Sequence, residues 1–215
     1  MKCIVIILIS FICVFNAKAQ TVDDLHNTTE KTLNVALKQS LDSIYINDQK
    51  YRSIMEDTAK IYGQNSTQMY HLRILTATND RINQQKICSI LDKYGWLGKD
   101  VVGDTGNSAL YLVIQHADST TQIKYLPMME TAVKKGNAKP SNLAYLEDRI
   151  AMKRGKKQIY GSQFIYNDKT NHYELWPIED MPNVNKRRTE VGLGKLEDYV
   201  KEFGPGYTLI EYKDH

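Results

Sequence analysis

Four glycines do most to constrain this chain. Gly63, Gly95, Gly136 and Gly155 each stand just past a long stretch that reads as helix. Glycine in that position ends a helix more easily than any residue carrying a Cβ. The stretches they close run over about Asp48–Tyr62, Thr67–Tyr94, Thr120–Lys135 and Ser141–Arg154. In the longest, Ile87, Ile90, Leu91 and Tyr94 keep the helical period. Pro140 opens the last, as proline near a helix start should. A further helix is expected over 28–46, with Asn27–Glu30 (NTTE) as its start, and another over Asn107–Ala117. The glycine-rich WLGKDVVGDTGN between Trp96 and Asn107 reads as a loop. Helices punctuated this closely have only one another to bury their apolar faces against.

Past Gly155 the pattern changes. QIYGSQFIYNDKTNHYELWPI is aromatic and alternating, with a turn at Asn167–Asn171, and predicts a β-hairpin. One or two short helices follow, and YTLIEY is expected to form a last strand. The fold class is therefore mainly α, a single helical domain with a small β-hairpin near the C-terminus. Its extent is expected to be 48–215, with 20–47 as an N-terminal helical segment.

The first residues bear on compartment. Lys2 precedes the apolar run Ile4–Phe15, and Ala17-Lys18-Ala19 supplies a small-x-small cleavage signal. These predict a signal peptide over 1–19 and an exported protein, periplasmic or secreted. The run is too short for a spanning helix, and no membrane span is expected after cleavage. Losing Lys2 and Lys18 lowers the net charge from +3 to +1. That balance gives no reason to expect nucleic acid as a partner. Cys3 and Cys13 leave with the leader, so Cys88 has no partner for an internal disulfide and reads as a structural thiol.

Several polar residues interrupt apolar patterns. In ALYLVIQHADST, Ala109, Leu112, Val113 and His116 share one helix face, so His116 extends a buried stripe with Gln115 toward its flank. A buried polar group without a partner costs about 1–3 kcal/mol, so His116 requires one. It reads either as a core histidine or as a site residue. Asp118 precedes a helix, and Ser119–Gln122 (STTQ) fits a capping box, so capping accounts for it. In LAYLEDRIAM, Asp148 and Arg149 flank the stripe Leu143, Leu146 and Ile150 and are expected half-buried, as a surface ion pair. Asp48 and Arg52 are spaced i, i+4 as a helix-stabilising pair. Gln158 and Tyr160 are expected on one strand face and Gln163 on the other, unless Gly161 marks a bulge. They suit a polar ligand or a tie between hairpin and helices. His116-x-Asp118 offers two metal ligands with no third at a recognisable spacing, so neither a metal nor another cofactor is expected. GDTGN reads as a turn rather than an anion cradle, and KRGKK and NKRR as solvated basic faces.

DQKYR, GWLG, QHAD, AYLEDR, QIYGSQ, PIED and NKRRTEVGL occur in this order between Asp48 and Tyr199. In these the chain resembles a bacterial family classed as a domain of unknown function, with Leu97 where that family has Pro and Ser162 where it has Thr. The resemblance implies no activity. It does imply a polar signature at Asp48, Gln49, Arg52, Gln115, His116, Asp118, Asp148, Arg149, Gln158, Tyr160 and Gln163. A signature so rich in ionisable and amide groups is more like a site than a packing pattern. Two functions follow as expectations. In the first, His116 is the general acid or base, oriented by Asp118 or Asp148. Arg149 or Arg52 holds an anionic group, and Gln158, Tyr160 and Gln163 line the pocket of a hydrolase or lyase acting on an envelope-derived small molecule or peptide. In the second, the same residues are a buried network in a non-catalytic binding or interaction domain.

Overall fold

Asn34 starts the first helix. Its side chain accepts a hydrogen bond from the Leu37 backbone N–H at 3.0 Å, a capping contact that the free N–H groups of a helix start require. In the computed structural model, which describes residues 33–167, 169–170, 172–203 and 207–208, helix α1 spans Val35–Arg52. The break expected between 46 and 48 is not there. Leu41, Ile44 and Asp48, at i, i+3 and i+7, are one continuous buried face, and that face keeps the helix running. It ends instead at Ser53, and α2 follows over Met55–Tyr62. The expected leader 1–19 and the capping motif at 27–30 lie outside the described residues.

Helix α3, Thr67–Tyr94, has the predicted bounds, capped by Ser66 and closed by Gly95. Its 28 residues reach about 42 Å. Helix α4 spans Lys99–His116 and overturns the loop expected before Asn107. The glycines there do not unwind the chain but kink it. Gly103, at φ 73°, bends one helical turn into the next, a conformation that residues with a Cβ rarely adopt. Gly106 then lets α1 and α4 approach closely, since a Cβ there would lie 3.3 Å from Leu41 Cβ and 3.1 Å from Val102 Cβ. Asn107 is buried, and its amide donates to the carbonyls of Leu97 and Asn137 at 2.8 and 2.7 Å. This ties the entry to α4 to the exit from α5, Ser119–Lys134. Helix α6 spans Pro140–Lys153.

The helices close over one core containing Leu41, Ile87, Leu91, Leu110, Ile114, Tyr125, Met129 and Leu146. Cys88 packs against it half-buried rather than within it. The hairpin pairs β1, Phe164–Asn167, with β2, His172–Leu175, antiparallel, with Phe164 opposite Leu175. The last strand is seen in part: β3, Tyr207–Thr208, lies parallel to β2, and 209–212 lie outside the described residues. Helices α7, Val184–Glu190, and α8, Leu196–Glu202, complete a smaller core of Leu175, Ile178, Val184, Leu196 and Val200. The chain is mainly α with one small hairpin, as its pattern predicts. Among the described residues no helix is long and apolar enough to cross a membrane.

Two expectations for the C-terminal part change. Residues 158–163 form a loop, not a strand, with one isolated β-bridge, between Gln158 and Ile178. Gly161 sits at φ 71° in that loop, with Ile178 and Leu196 side chains where a Cβ would be. NKRR is not a solvated face. Arg188 is 1% exposed, and its Nε and Nη1 donate to the carbonyls of Gly194 and Tyr160 at 2.6 and 2.8 Å. Its guanidinium also lies 4.8 Å from the centre of the Tyr199 ring.

Candidate functional site

The buried face of α1 ends in a carboxylate. Asp48 continues the stripe of Leu41 and Ile44, and its side chain is 1% exposed. The face of α4 likewise ends in His116, whose side chain is 16% exposed. Where the two helices meet, His116 Nδ1 lies 3.0 Å from Asp48 Oδ1. The expected orienting partners were Asp118 and Asp148, and it is Asp48 that orients the ring. The reason is the long contact of α1 with α4, which a helix break at 47 would have removed.

Asp48 is held in turn. Gln49 Nε2 donates to its Oδ2 at 2.7 Å, and Arg52 Nε stands 3.6 Å from the same oxygen. Arg52 reaches onward to Asp80 of α3, with which its Nη2 forms a close ion pair. The result is a line of imidazole, carboxylate, guanidinium and carboxylate across three helices. Burial pushes the Asp48 carboxyl up. The His116 hydrogen bond and charge, then Arg52 and Gln49, outweigh it and hold the group below its ordinary value. An ionised Asp48 can only accept, so Nδ1 carries a proton, and in the neutral ring Nε2 carries the lone pair. Nε2 has no hydrogen-bond partner among the described residues.

Asp48, Asp80 and His116 each offer a ligand atom within 4.8 Å of the others, a spacing on which a cation can close. Arg52 already lies against both carboxylates and supplies positive charge there. Asp80 was missed in the sequence, although a signal existed. Thr76, Asp80 and Asn83 fall on the α3 face that continues as Ile87 and Leu91, three polar groups in one stripe. Asn83 is 1% exposed, and neither its oxygen nor its nitrogen has a partner among the described residues.

Gln115, expected at the flank, is buried. Its Nε2 donates to the Tyr145 carbonyl at 3.3 Å, and its Oε1 is unpartnered. Arg149 is half-buried on α6 and makes no ion pair with its neighbour Asp148. Its Nε is fully buried without a partner. The groups acting on it are Tyr111, Arg52 and Tyr199. Burial first, and Arg52 after the opposing effect of Tyr111, lowers its affinity for the proton.

The other signature residues lie elsewhere. Asp118 is exposed and caps α5, accepting from the Thr121 N–H and hydroxyl at 2.9 Å each and from Gln84 Nε2 at 2.8 Å. Those bonds, the Thr121 N–H first, hold its carboxyl below the ordinary range. The box expected at Ser119–Gln122 does not form, because Asp118 is the N-cap and Gln122 turns inward to the Gln115 carbonyl at 2.8 Å. Asp148 is not half-buried but wholly enclosed. Its oxygens accept from the backbone N–H groups of Ile159, Tyr160 and Ser162 at 2.7–3.2 Å. Burial pushes it above the ordinary carboxylate value, and these amides pull back. Gln158 closes the same loop. Its Oε1 accepts from Gln163 N at 2.8 Å, and its Nε2 donates to Gln163 O at 3.1 Å and Trp176 O at 2.6 Å. Gln163 Nε2 donates to Ser162 Oγ at 2.9 Å. Tyr160 turns to Glu147, and its phenol is pushed up to about 12, by burial first and then by that carboxylate. The signature thus divides: Asp48, Gln49, Arg52 and His116 converge, while Asp148, Gln158 and Gln163 staple the 158–163 loop to α6 and β2.

No curated protein and no solved structure matches this chain. A family profile does, over residues 36–211, which takes in α1 through the last described strand and every residue of the polar signature. The chain belongs to that family, described as a family of unknown function (DUF6624).

Proposed function

We propose that the protein binds a polar small molecule or peptide beside His116 and moves a proton at it, with His116 Nε2 as general base and then general acid. The observation that carries this reading is the 3.0 Å contact of Nδ1 with a buried carboxylate. It fixes the tautomer and presents the basic nitrogen outward, the arrangement acid–base chemistry requires. Asp48 is a positioning residue, held ionised by Arg52 and Gln49. A proton taken by Nε2 makes an imidazolium that Asp48 stabilises, and hydrolysis or elimination then returns it to the leaving group. The leader-like N-terminus supports an exported protein acting on an envelope-derived molecule.

One observation favours a structural role for part of the signature. Asp148, Gln158 and Gln163 are each 5% exposed or less, and their side chains bond to the loop they enclose. We assign those three to the scaffold and keep the chemistry at His116. The test is depletion of a mixture of envelope-derived peptides, amino sugars and organic acids, followed by mass spectrometry, with wild type, His116→Ala and Asp48→Asn. A compound consumed by wild type and spared by His116→Ala, with Asp48→Asn slowed by about 10²–10⁴-fold, is the expected result. Equal consumption by wild type and His116→Ala, or consumption of nothing, overturns it.

A further inference from the structure

Arg149 stands outside the line of hydrogen bonds and ion pairs that holds His116. Its neighbour Asp148 turns to the 159–162 backbone and is fully engaged there, so the two adjacent charges do not neutralise each other. Arg149 is half-buried with Nε sealed from solvent, and its guanidinium makes no hydrogen bond or ion pair with any described residue. Arg188 shows what this fold does with an enclosed guanidinium that is structural: Nε and Nη1 meet carbonyls at 2.6 and 2.8 Å, and the plane covers Tyr199. Arg149 has no such provision. The charges that act on it are those of Tyr111, Tyr199 and a second guanidinium, Arg52.

Arg52 does not relieve the charge but adds to it. Its own partners are Asp48 and Asp80, and neither Arg149 nor the nearby Lys153 has a carboxylate partner among the described residues. Lys153, one turn along α6, donates to the Ala117 carbonyl at 3.1 Å and Gln122 Oε1 at 3.2 Å, both neutral. A guanidinium taken from water and left unpaired is unfavourable, and its planar fork of N–H donors matches one class of group best, a carboxylate or phosphate. Arg52 links the two regions, since it contacts the Asp48 that orients His116 and acts electrostatically on Arg149.

We infer that Arg149 is the receptor for an oxyanion, a carboxylate or phosphate carried by the molecule on which His116 acts, with Arg52 reinforcing the field. This rests on the acid–base reading of His116 and adds the substrate's charge to it.

The experiment uses the full mature chain and two probes, inorganic phosphate and acetate, titrated calorimetrically against a chloride control of equal ionic strength. The variants are Arg149→Met and Arg149→Lys. Wild type is expected to bind one or both probes saturably, Arg149→Met to lose at least about tenfold in affinity, and Arg149→Lys to lose less. Which probe binds tells phosphate from carboxylate. A second readout excludes a structural role. Removing an unpaired charge should leave the melting temperature of Arg149→Met unchanged or raised, whereas removing a structural arginine lowers it. Equal binding by wild type and Arg149→Met, no binding beyond chloride, or a melting temperature that collapses in Arg149→Met overturns the inference. The two readings fail separately. His116-dependent consumption of a neutral compound with no oxyanion binding removes the receptor and keeps the acid–base site. Arg149-dependent oxyanion binding with no His116-dependent turnover does the reverse.

Discussion

Asp48→Asn tests the centre of the site without changing its shape. The carboxylate is 1% exposed and bonds His116 Nδ1 at 3.0 Å and Gln49 Nε2 at 2.7 Å, with Arg52 Nε at 3.6 Å. A charged hydrogen bond contributes about 1.5–3 kcal/mol, and breaking a buried ion pair costs about 3–5 kcal/mol. Arg52 keeps Asp80 and is 24% exposed, so the lower range applies, and the expected loss is about 2–3 kcal/mol at neutral pH. For a chain of this size that lowers the melting temperature by roughly 5–10 °C. The pH dependence follows from the sign of the shift. Asp48 has its folded value depressed, so its contribution is present above the ordinary value of 3.8 and is lost as pH falls through the lower folded value. Urea unfolding of wild type and Asp48→Asn should therefore differ fully near neutrality and converge in acid below about pH 4. Nitrogen-15 chemical shifts of the His116 ring supply the second assay. Wild type should show a protonated Nδ1, and the asparagine variant a mixture, because an amide can donate as well as accept. A loss under about 0.5 kcal/mol that does not vary with pH, or an unchanged tautomer, would refute the reasoning.

Three further outcomes follow from the same geometry. Gly106→Ala should destabilise by about 1 kcal/mol net in urea unfolding, because overpacking against Leu41 and Val102, both fully buried, exceeds the gain in helix propensity; a more stable variant would contradict the close approach of α1 to α4. Asp148→Ala should cost about 3–5 kcal/mol and speed hydrogen exchange at Ile159, Tyr160 and Ser162, whose amides it leaves unbonded; protected amides in the variant would show that the loop does not depend on it. Asp118→Ala should cost about 1 kcal/mol, the usual loss of a helix cap, with no effect on the His116 tautomer; a changed tautomer would return Asp118 to the site.

What could be read in the sequence was whatever depends on local rules. The bounds of α3 follow from Ser66 and Gly95, the hairpin from its alternation, and the capping role of Asp118 from its place before Ser119. What could not be read depends on which surfaces meet. Asp48 and His116 are 68 residues apart, and nothing local says that α1 lies along α4. WLGKDVVGDTGN looked like a loop because glycine disfavours helices locally, whereas Gly106 is there to let α1 in and Gly103 to turn the chain. NKRR looked solvated because lysine and arginine usually are, and the carbonyls that bury Arg188 come from Tyr160 and Gly194. Asp80 and Asn83 were legible as polar breaks in an apolar stripe, but their spacing names no chemistry by itself.

Asp148 and Arg149 are adjacent on one helix and have opposite fates, and this adjacency connects the two halves of the polar signature. A helix advances about 100° per residue, so two neighbours cannot face the same surroundings. Asp148 is turned into the 158–163 loop, and its bonds to three backbone amides leave α6 little freedom to rotate. With that rotation set, Arg149 lies in the field of Tyr111, Tyr199 and Arg52, and it has no carboxylate partner among the described residues. The hydrogen bonds that Gln158 makes to Gln163 and Trp176 hold the loop that Asp148 grips. The enclosed network is in this sense the support on which Arg149 is carried. Its groups bond to one another and to the loop backbone and stay buried, which fixes the face that α6 turns toward α1 and α4.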